Sequence, residues 1–347
     1  MASQAAMPAR ILDATHPRCH EPTARRVTRE FALERRAVSA RPRLRLPVGP
    51  LRGAITFAII VLSTACFCLP LLALALVKFL VPHAATRRRL SRVLTLIAEG
   101  WIGMNAWIFA RTQAILWEVR GLDGLDPDAW YLIVSNHQSW VDILGLQIVL
   151  NRRVPFLKFF LKEQLKWVPV MGLAWWALDM PFMKRYSRAE LERRPELRGT
   201  DLARTRRACE RFRDIPTSVI NFVEGTRFTL AKQAASRSPY AHLLLPRAGG
   251  VAFVLGAMGT TLKELLDVTI AYPAGVGGLW ALCSGRVVHI VIEVERRPLE
   301  AWLAAGDYAE DAEFRARFQG WLTALWAAKD TRLGRLLAGP PSDNRAS

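Results

Sequence analysis

His137 and Asp142 lie five positions apart in the run NHQSWVD, directly after the apolar stretch YLIVS. If a short turn leads into a helix near Ser139, the carboxylate can orient one imidazole nitrogen and leave the other facing a substrate. That is the base-and-orienter half of a nucleophilic triad without its serine. An alcohol carried by the substrate can supply the missing oxygen. Its proton is held tightly, and an imidazole, which titrates near neutrality, can take it during attack. Ser139 lacks the G-x-S-x-G setting of a nucleophile and suits a helix N-cap. On residue types alone a structural reading stays open, with His137 hydrogen-bonded in a turn and Asp142 capping a helix. Metal ligation would need a third ligand, and no nearby His or Cys supplies one.

The layout recurs in VINFVEGTRF, where an apolar run ends in Glu224, Gly225, Thr226 and Arg227. Gly225 lets the backbone turn tightly or approach a ligand. Arg227 offers a planar fork for two phosphate oxygens, and Thr226 adds a hydroxyl donor. Glu224 is expected to fix Arg227 or the loop, or to contact a substrate hydroxyl. A purely structural Glu-Arg pair is the plainer alternative. Between the two runs lies FLKFFLKEQLKWVPVMGLAWW, with Lys158, Lys162 and Lys166 every four residues. That spacing predicts a helix over Leu157 to Trp167 with one basic face, either solvated or set beside a lipid headgroup. Pro169 and Gly172 would end it and, with Met171 and Trp175, could shape an acyl channel.

These residues need a scaffold. Short apolar or β-branched runs predict strands at Tyr131 to Ser135, Ser218 to Val223, Val268 to Ala271 and Val287 to Val294. Helical patterns intervene at Ile143 to Leu150, Leu202 to Arg213 and Leu255 to Leu266, with another at Phe314 to Leu325. The alternation predicts an α/β domain, a mixed sheet flanked by helices, over residues 119–340.

Ahead of it, residues 49–118 read as a membrane-associated helical region. Ala54 to Val77 is almost continuously apolar, about 24 residues, enough to cross a hydrocarbon core that needs ~20. Pro70 can kink that run or divide it. Basic residues flank both sides, so a monotopic hairpin fits as well as a full span. Val93 to Phe109 reads as an amphipathic helix, on the membrane surface or covering the catalytic domain, with Trp101 and Trp107 as headgroup-level anchors or core residues. Residues 1–48, rich in arginine and proline, read as a disordered tail, and those beyond Pro340 as a loose end.

The chain has 347 residues, 51% of them hydrophobic, and a net charge of +18 that requires an anionic partner. Clusters at Arg87, Arg88, Arg89 and Arg92 beside an apolar segment favour an anionic membrane. No zinc finger, helix-turn-helix or aromatic-faced sheet points to nucleic acid. The five cysteines form neither a ligand cluster nor a disulfide framework.

Together these motifs resemble the glycerolipid acyltransferase family, whose mark is a histidine and an aspartate separated by four residues. NHQSWVD is similar to its first motif, LKEQLKWVPVMG to the second, VEGTRF to the third, and LLLPRAGG, with Pro246, to the fourth. The branch containing bacterial probable acyltransferases and eukaryotic lysophospholipid acyltransferases is nearest. The resemblance implies transfer of an acyl group from acyl-CoA or an acyl-carrier protein to a lysophospholipid, with phosphatidic acid from 1-acyl-glycerol-3-phosphate as the best-known product. It implies His137 as general base, Asp142 as its orienter, and Arg227 as phosphate clamp. Glu224, Gly225, Thr226, Lys162 and Pro246 would line the substrate. No metal or cofactor is implied, and Asn136 or backbone amides could steady the oxyanion. The expected location is a membrane, such as a bacterial inner membrane, with the catalytic domain facing the cytoplasm. Gln138 and Trp140 are bulky for the first motif, and Ala248-Gly249-Gly250 replaces the aliphatic run common after the fourth-motif proline. Those departures leave another lipid acceptor open, and oligomeric state is not fixed.

Overall fold

The apolar run at the N-terminal side becomes one helix, α1 (Pro50–Leu80), in a computed structural model that describes residues 49–183, 193, 212 and 215–338. The tail to residue 48, the end beyond Pro340 and nearly all of the helix expected over Leu202 to Arg213 lie outside those residues. Pro70 sits inside α1 without dividing it. After Val81, Pro82 and His83 the chain returns as α2 (Ala84–Thr112), longer than the stretch from Val93. The two helices pack as a hairpin, with Trp101 Nε1 donating to Thr64 Oγ1 at 3.1 Å. Both are long and apolar enough to cross a membrane by length and composition.

The sheet is mixed, as the alternation implies. Its order is β1 (Leu116–Arg120), β8 (His289–Pro298), β7 (Glu264–Ala271), β2 (Tyr131–Ser135), β6 (Ser218–Phe222), β3 (Leu157–Phe159), and only the β7–β8 pair is antiparallel. Alternation along β2 sorts its side chains between two cores. Tyr131 and Ile133 pack with the α1–α2 hairpin and α3 (Val141–Leu150). Leu132 and Val134 pack with α6 (Ala248–Met258) and α8 (Ala312–Ala338). Arg332 of α8 reaches Asp267 of β7 at 3.1 Å, and buried Lys329 pairs with the same carboxylate.

Two expected helices are corrected. Leu157 to Trp167 is not helical: it forms β3, then β4 (Leu161–Lys162), then a 3-10 helix over Glu163–Trp167. The three lysines therefore share no face. Lys158 is buried, with Nζ donating to the Leu178 carbonyl and its ammonium pulled down to about 8 by burial. A short apolar run is ambiguous between buried strand and helix, and here pairing with β6 decides it. The helix expected over Leu255 to Leu266 instead starts at Ala248 and stops at Met258, because Leu265 and Leu266 belong to β7. Gly259 ends it where a Cβ would stand 2.2 Å from Ala304 Cβ.

The hairpin lies along the domain. Near its open end, Trp280 of α7 (Leu279–Cys283) packs on Gly53, and Gln113 Nε2 donates to Thr56 Oγ1 at 3.1 Å and to the Cys283 carbonyl at 2.7 Å. At the far end of α1, Lys78 pairs with Asp179 at 2.8 Å. There Phe79 also meets Trp176 of α4 (Met171–Ala177), with ring centroids 6.2 Å apart.

Candidate active site

Parallel pairing brings the carboxyl ends of β7, β2 and β6 to one edge, where Ser135 stands level with Val268 and Phe222. Open α/β sheets hold ligands in this crevice. Beyond Ser135 the chain folds around one carboxylate. Asp142 Oδ2 accepts from His137 Nδ1 at 2.8 Å, from Gln138 N at 2.6 Å and from Ser139 N at 2.8 Å. Its Oδ1 accepts from the Tyr272 hydroxyl at 2.5 Å. A buried carboxylate needs such donors to offset lost hydration, and the Asp142 side chain is fully buried. Ser139 closes the turn, its Oγ accepting from Val141 N at 3.1 Å and donating to the Gly277 carbonyl at 2.5 Å. It stands one residue before the N-cap, which is Trp140 with no side-chain cap bond, so Ser139 closes the turn and is not the N-cap expected from the sequence.

With Nδ1–H donating to Asp142, Nε2 carries the imidazole lone pair. The ring stacks on Phe222 at 4.0 Å, and the side chain keeps 13% of its surface open. The backbone of His137 is held from the third motif at both ends. Its N–H donates to Glu224 Oε1 at 2.9 Å, and its carbonyl accepts from Phe228 N at 2.7 Å.

Glu224 is buried, and its second oxygen accepts from Leu244 N at 2.9 Å, so one carboxylate ties the first, third and fourth motifs together. Burial pushes its carboxyl up to about 7, against the lowering pull of the two amides. Gly225 makes the turn at φ 68, a left-handed conformation that favours glycine. Thr226 Oγ1 and the Arg227 carbonyl both accept from Lys232 Nζ, at 2.8 and 2.9 Å. The exposed Arg227 guanidinium lies over the Trp140 ring, 4.8 Å from its centroid. Among the described residues it makes no hydrogen bond or ion pair. Pro246 is half-buried between Leu244 and Arg247, whose N–H donates to the Val223 carbonyl at 2.8 Å. Gly250 permits α6 to approach β6 closely, since a Cβ there would stand 2.3 Å from Asn221 Nδ2.

The structure thus brings His137, Asp142, Glu224, Gly225, Thr226, Arg227 and Pro246 to one edge. Lys162 is exposed on β4, and among the described residues no hydrogen bond, ion pair or ring contact joins it to this group. Asn136, one of the groups that could steady an oxyanion, is buried with its amide turned to β7, donating to the Ile270 carbonyl and accepting from Ile270 N, each at 2.9 Å. Sequence reading missed Tyr272, Phe222 and Lys232. Tyr272, at the end of DVTIAY, has a position at the same sheet edge as its only signal. Arg227 brings a fork for an anion and His137 a base, so the edge can deprotonate a hydroxyl on a molecule held by its negative charge.

Residues 117–271 match the family described as "Acyltransferase". The human protein 1-acyl-sn-glycerol-3-phosphate acyltransferase delta is 27% identical over 256 residues, which cover 70% of this chain and 60% of that protein. A 1-acyl-sn-glycerol-3-phosphate acyltransferase 2 from Brassica oleracea is 26% identical over 208 residues, covering 54% of this chain and 48% of the relative. The chain therefore aligns with about 60% or less of the length of these curated relatives. Among solved structures, the 1-acyl-sn-glycerophosphate (LPA) acyltransferase PlsC from Thermotoga maritima aligns with a TM-score of 0.45 at 16% identity, covering 81% of this chain and 98% of that one.

Proposed function

We propose that this chain, which belongs to the glycerolipid acyltransferase family, moves a fatty acyl group from acyl-CoA or acyl-carrier protein onto the free hydroxyl of 1-acyl-sn-glycerol 3-phosphate, giving phosphatidic acid. One observation carries the reading: a carboxylate-oriented imidazole shares a sheet edge with a guanidinium that has no hydrogen-bond or ion-pair partner among the described residues. His137 Nε2 takes the hydroxyl proton as that oxygen attacks the thioester carbonyl. The tetrahedral intermediate collapses, the C–S bond breaks, and the imidazolium returns the proton to the departing thiolate. Asp142 stabilises the imidazolium and holds the tautomer. Arg227 clamps the acceptor phosphate, with Lys232 and Thr226 beside it. Glu224, Gly225 and Pro246 act by holding loops, and Lys162 by offering positive charge toward the headgroup region.

An apolar cavity between the hairpin and α4 suits the acyl chain. It is lined by Phe67, Leu71, Trp101, Met171 and Trp175 among others. The hairpin is proposed to lie in one leaflet. If α1 spanned the bilayer, α7 and α4, docked at its opposite ends, would be carried to opposite sides of the hydrocarbon layer. The connecting loops could not keep their backbone groups satisfied there. Exposed Leu62, Leu69, Leu76 and Trp107 supply a lipid-facing surface, and Arg87, Arg88, Arg89 and Arg92 attract anionic headgroups. The catalytic face then meets the cytoplasm, where thioester donors are found; a bacterial inner membrane fits. A second reading keeps the chemistry and changes the acceptor to a larger-headed lysophospholipid, favoured by the exposure of Arg227.

The test offers purified protein in lipid a labelled long-chain acyl donor, as CoA or carrier-protein thioester, with a panel of lysophospholipids. Phosphatidic acid as the main product supports the leading reading. Transfer to another headgroup alone selects the second, and free fatty acid alone rejects both.

A further inference from the structure

Trp140, the N-cap residue of α3, is a large aromatic left 51% exposed, and its side chain makes no capping hydrogen bond. Its ring face is not idle, because the Arg227 guanidinium lies 4.8 Å from its centroid. We infer that Trp140 is a positioning residue for Arg227, fixing where the acceptor's anionic group sits relative to the attacking hydroxyl. This rests on the reading of Arg227 as the phosphate clamp.

A guanidinium stacked on an indole spends its face and keeps its N–H edge, the part that forks to two phosphate oxygens. Stacking and anion binding are therefore compatible. With no carboxylate partner among the described residues, an unstacked Arg227 would sample many rotamers, and ordering it on binding would reduce affinity. Arg227 is gripped at a second point, its carbonyl accepting from Lys232 Nζ at 2.9 Å. Trp140 also stands three residues after His137 on the same turn, so base and clamp share one short segment. Moving that turn would move both, preserving the span between phosphate and hydroxyl.

The experiment compares Trp140→Leu and Trp140→Phe, each alone and with Arg227→Gln. Two quantities are read: KM and kcat for 1-acyl-glycerol-3-phosphate, and the equilibrium Kd of that lipid for the same variants in a His137→Ala background, where no turnover is needed. An exposed cation–π contact predicts a rise of about five-fold in KM and Kd for Trp140→Leu, with a much smaller change in kcat. Phenylalanine recovers most of it, and Trp140→Leu adds nothing once Arg227 is glutamine. Equal effects of Trp140→Leu with and without Arg227, or a fall in kcat at unchanged KM and Kd, would overturn the inference while leaving the clamp intact. An Arg227→Gln variant with unaltered KM and Kd would reject the clamp itself, and the inference with it.

Discussion

On the base side of the sheet edge, both oxygens of Asp142 and both of Glu224 are buried and met by donors from Gln138, Ser139, Tyr272, His137 and Leu244. On the anion side, Arg227 is exposed and rests on the face of one exposed indole. On the proposed reading, the contrast follows from what each must do. A general base has to be aimed before the substrate arrives, and buried, saturated carboxylates hold a ring rigidly. A phosphate clamp has to release product and leave its donors unspent. Lesions on the base side should therefore appear in kcat and stability, and those on the anion side in acceptor KM.

The largest expected effect tests the first half of that contrast. His137→Ala or Asp142→Asn should lower kcat about 10³-fold, within the usual range for losing general-base chemistry, with acceptor KM little altered. Arg227→Gln should do the reverse. Losing a charge-assisted pair removes about 1.5–3 kcal/mol, which steady-state kinetics would read as a rise in KM of roughly ten- to a hundred-fold.

Glu224→Gln comes next, because an amide turned toward His137 N or Leu244 N leaves a buried donor unmet, costing about 1–3 kcal/mol. Thermal unfolding should register it, together with a fall in kcat. The pH dependence has a definite sign. Burial raises the Glu224 carboxyl to about 7, so between the ordinary carboxylate range and that value the folded chain binds more protons than the unfolded one. Its contribution to stability is present at low pH and lost as pH rises through about 7. Unfolding midpoints across that window should fall with pH more steeply in the parent than in the glutamine variant.

Tyr272→Phe removes one of four donors to Asp142, and about tenfold in kcat with ~1 kcal/mol of stability is expected. Lys232→Met is the mildest, about threefold in acceptor KM and weaker at high salt, as suits an exposed charge. A Lys232 variant that lowered kcat and left KM alone would erase the division between the two sides.

The base side was largely legible because its logic is local. His137, Ser139 and Asp142 sit on one turn after a strand whose bounds, Tyr131 to Ser135, could be read from the apolar run YLIVS. Tyr272 escaped because it reaches Asp142 from 130 residues away, through the pairing of β7 with β2. The second motif misled for the opposite reason. Lys158, Lys162 and Lys166 repeat at a helical spacing, yet a slot beside β6 takes Leu157–Phe159 as a strand and buries Lys158. Asn136 is turned toward β7, which meets both its oxygen and one of its N–H groups from 134 residues away. In each case the deciding partner is remote in sequence.

The central claim is that the His137–Asp142 pair activates a lipid hydroxyl toward a thioester. The most direct measurement follows products by mass spectrometry when parent and His137→Ala proteins, in lipid, receive long-chain acyl-CoA and 1-acyl-glycerol-3-phosphate. Phosphatidic acid from the parent and at least a hundred-fold less from the variant is the predicted result. Equal product from both, or free fatty acid in place of acylated lipid, would contradict it.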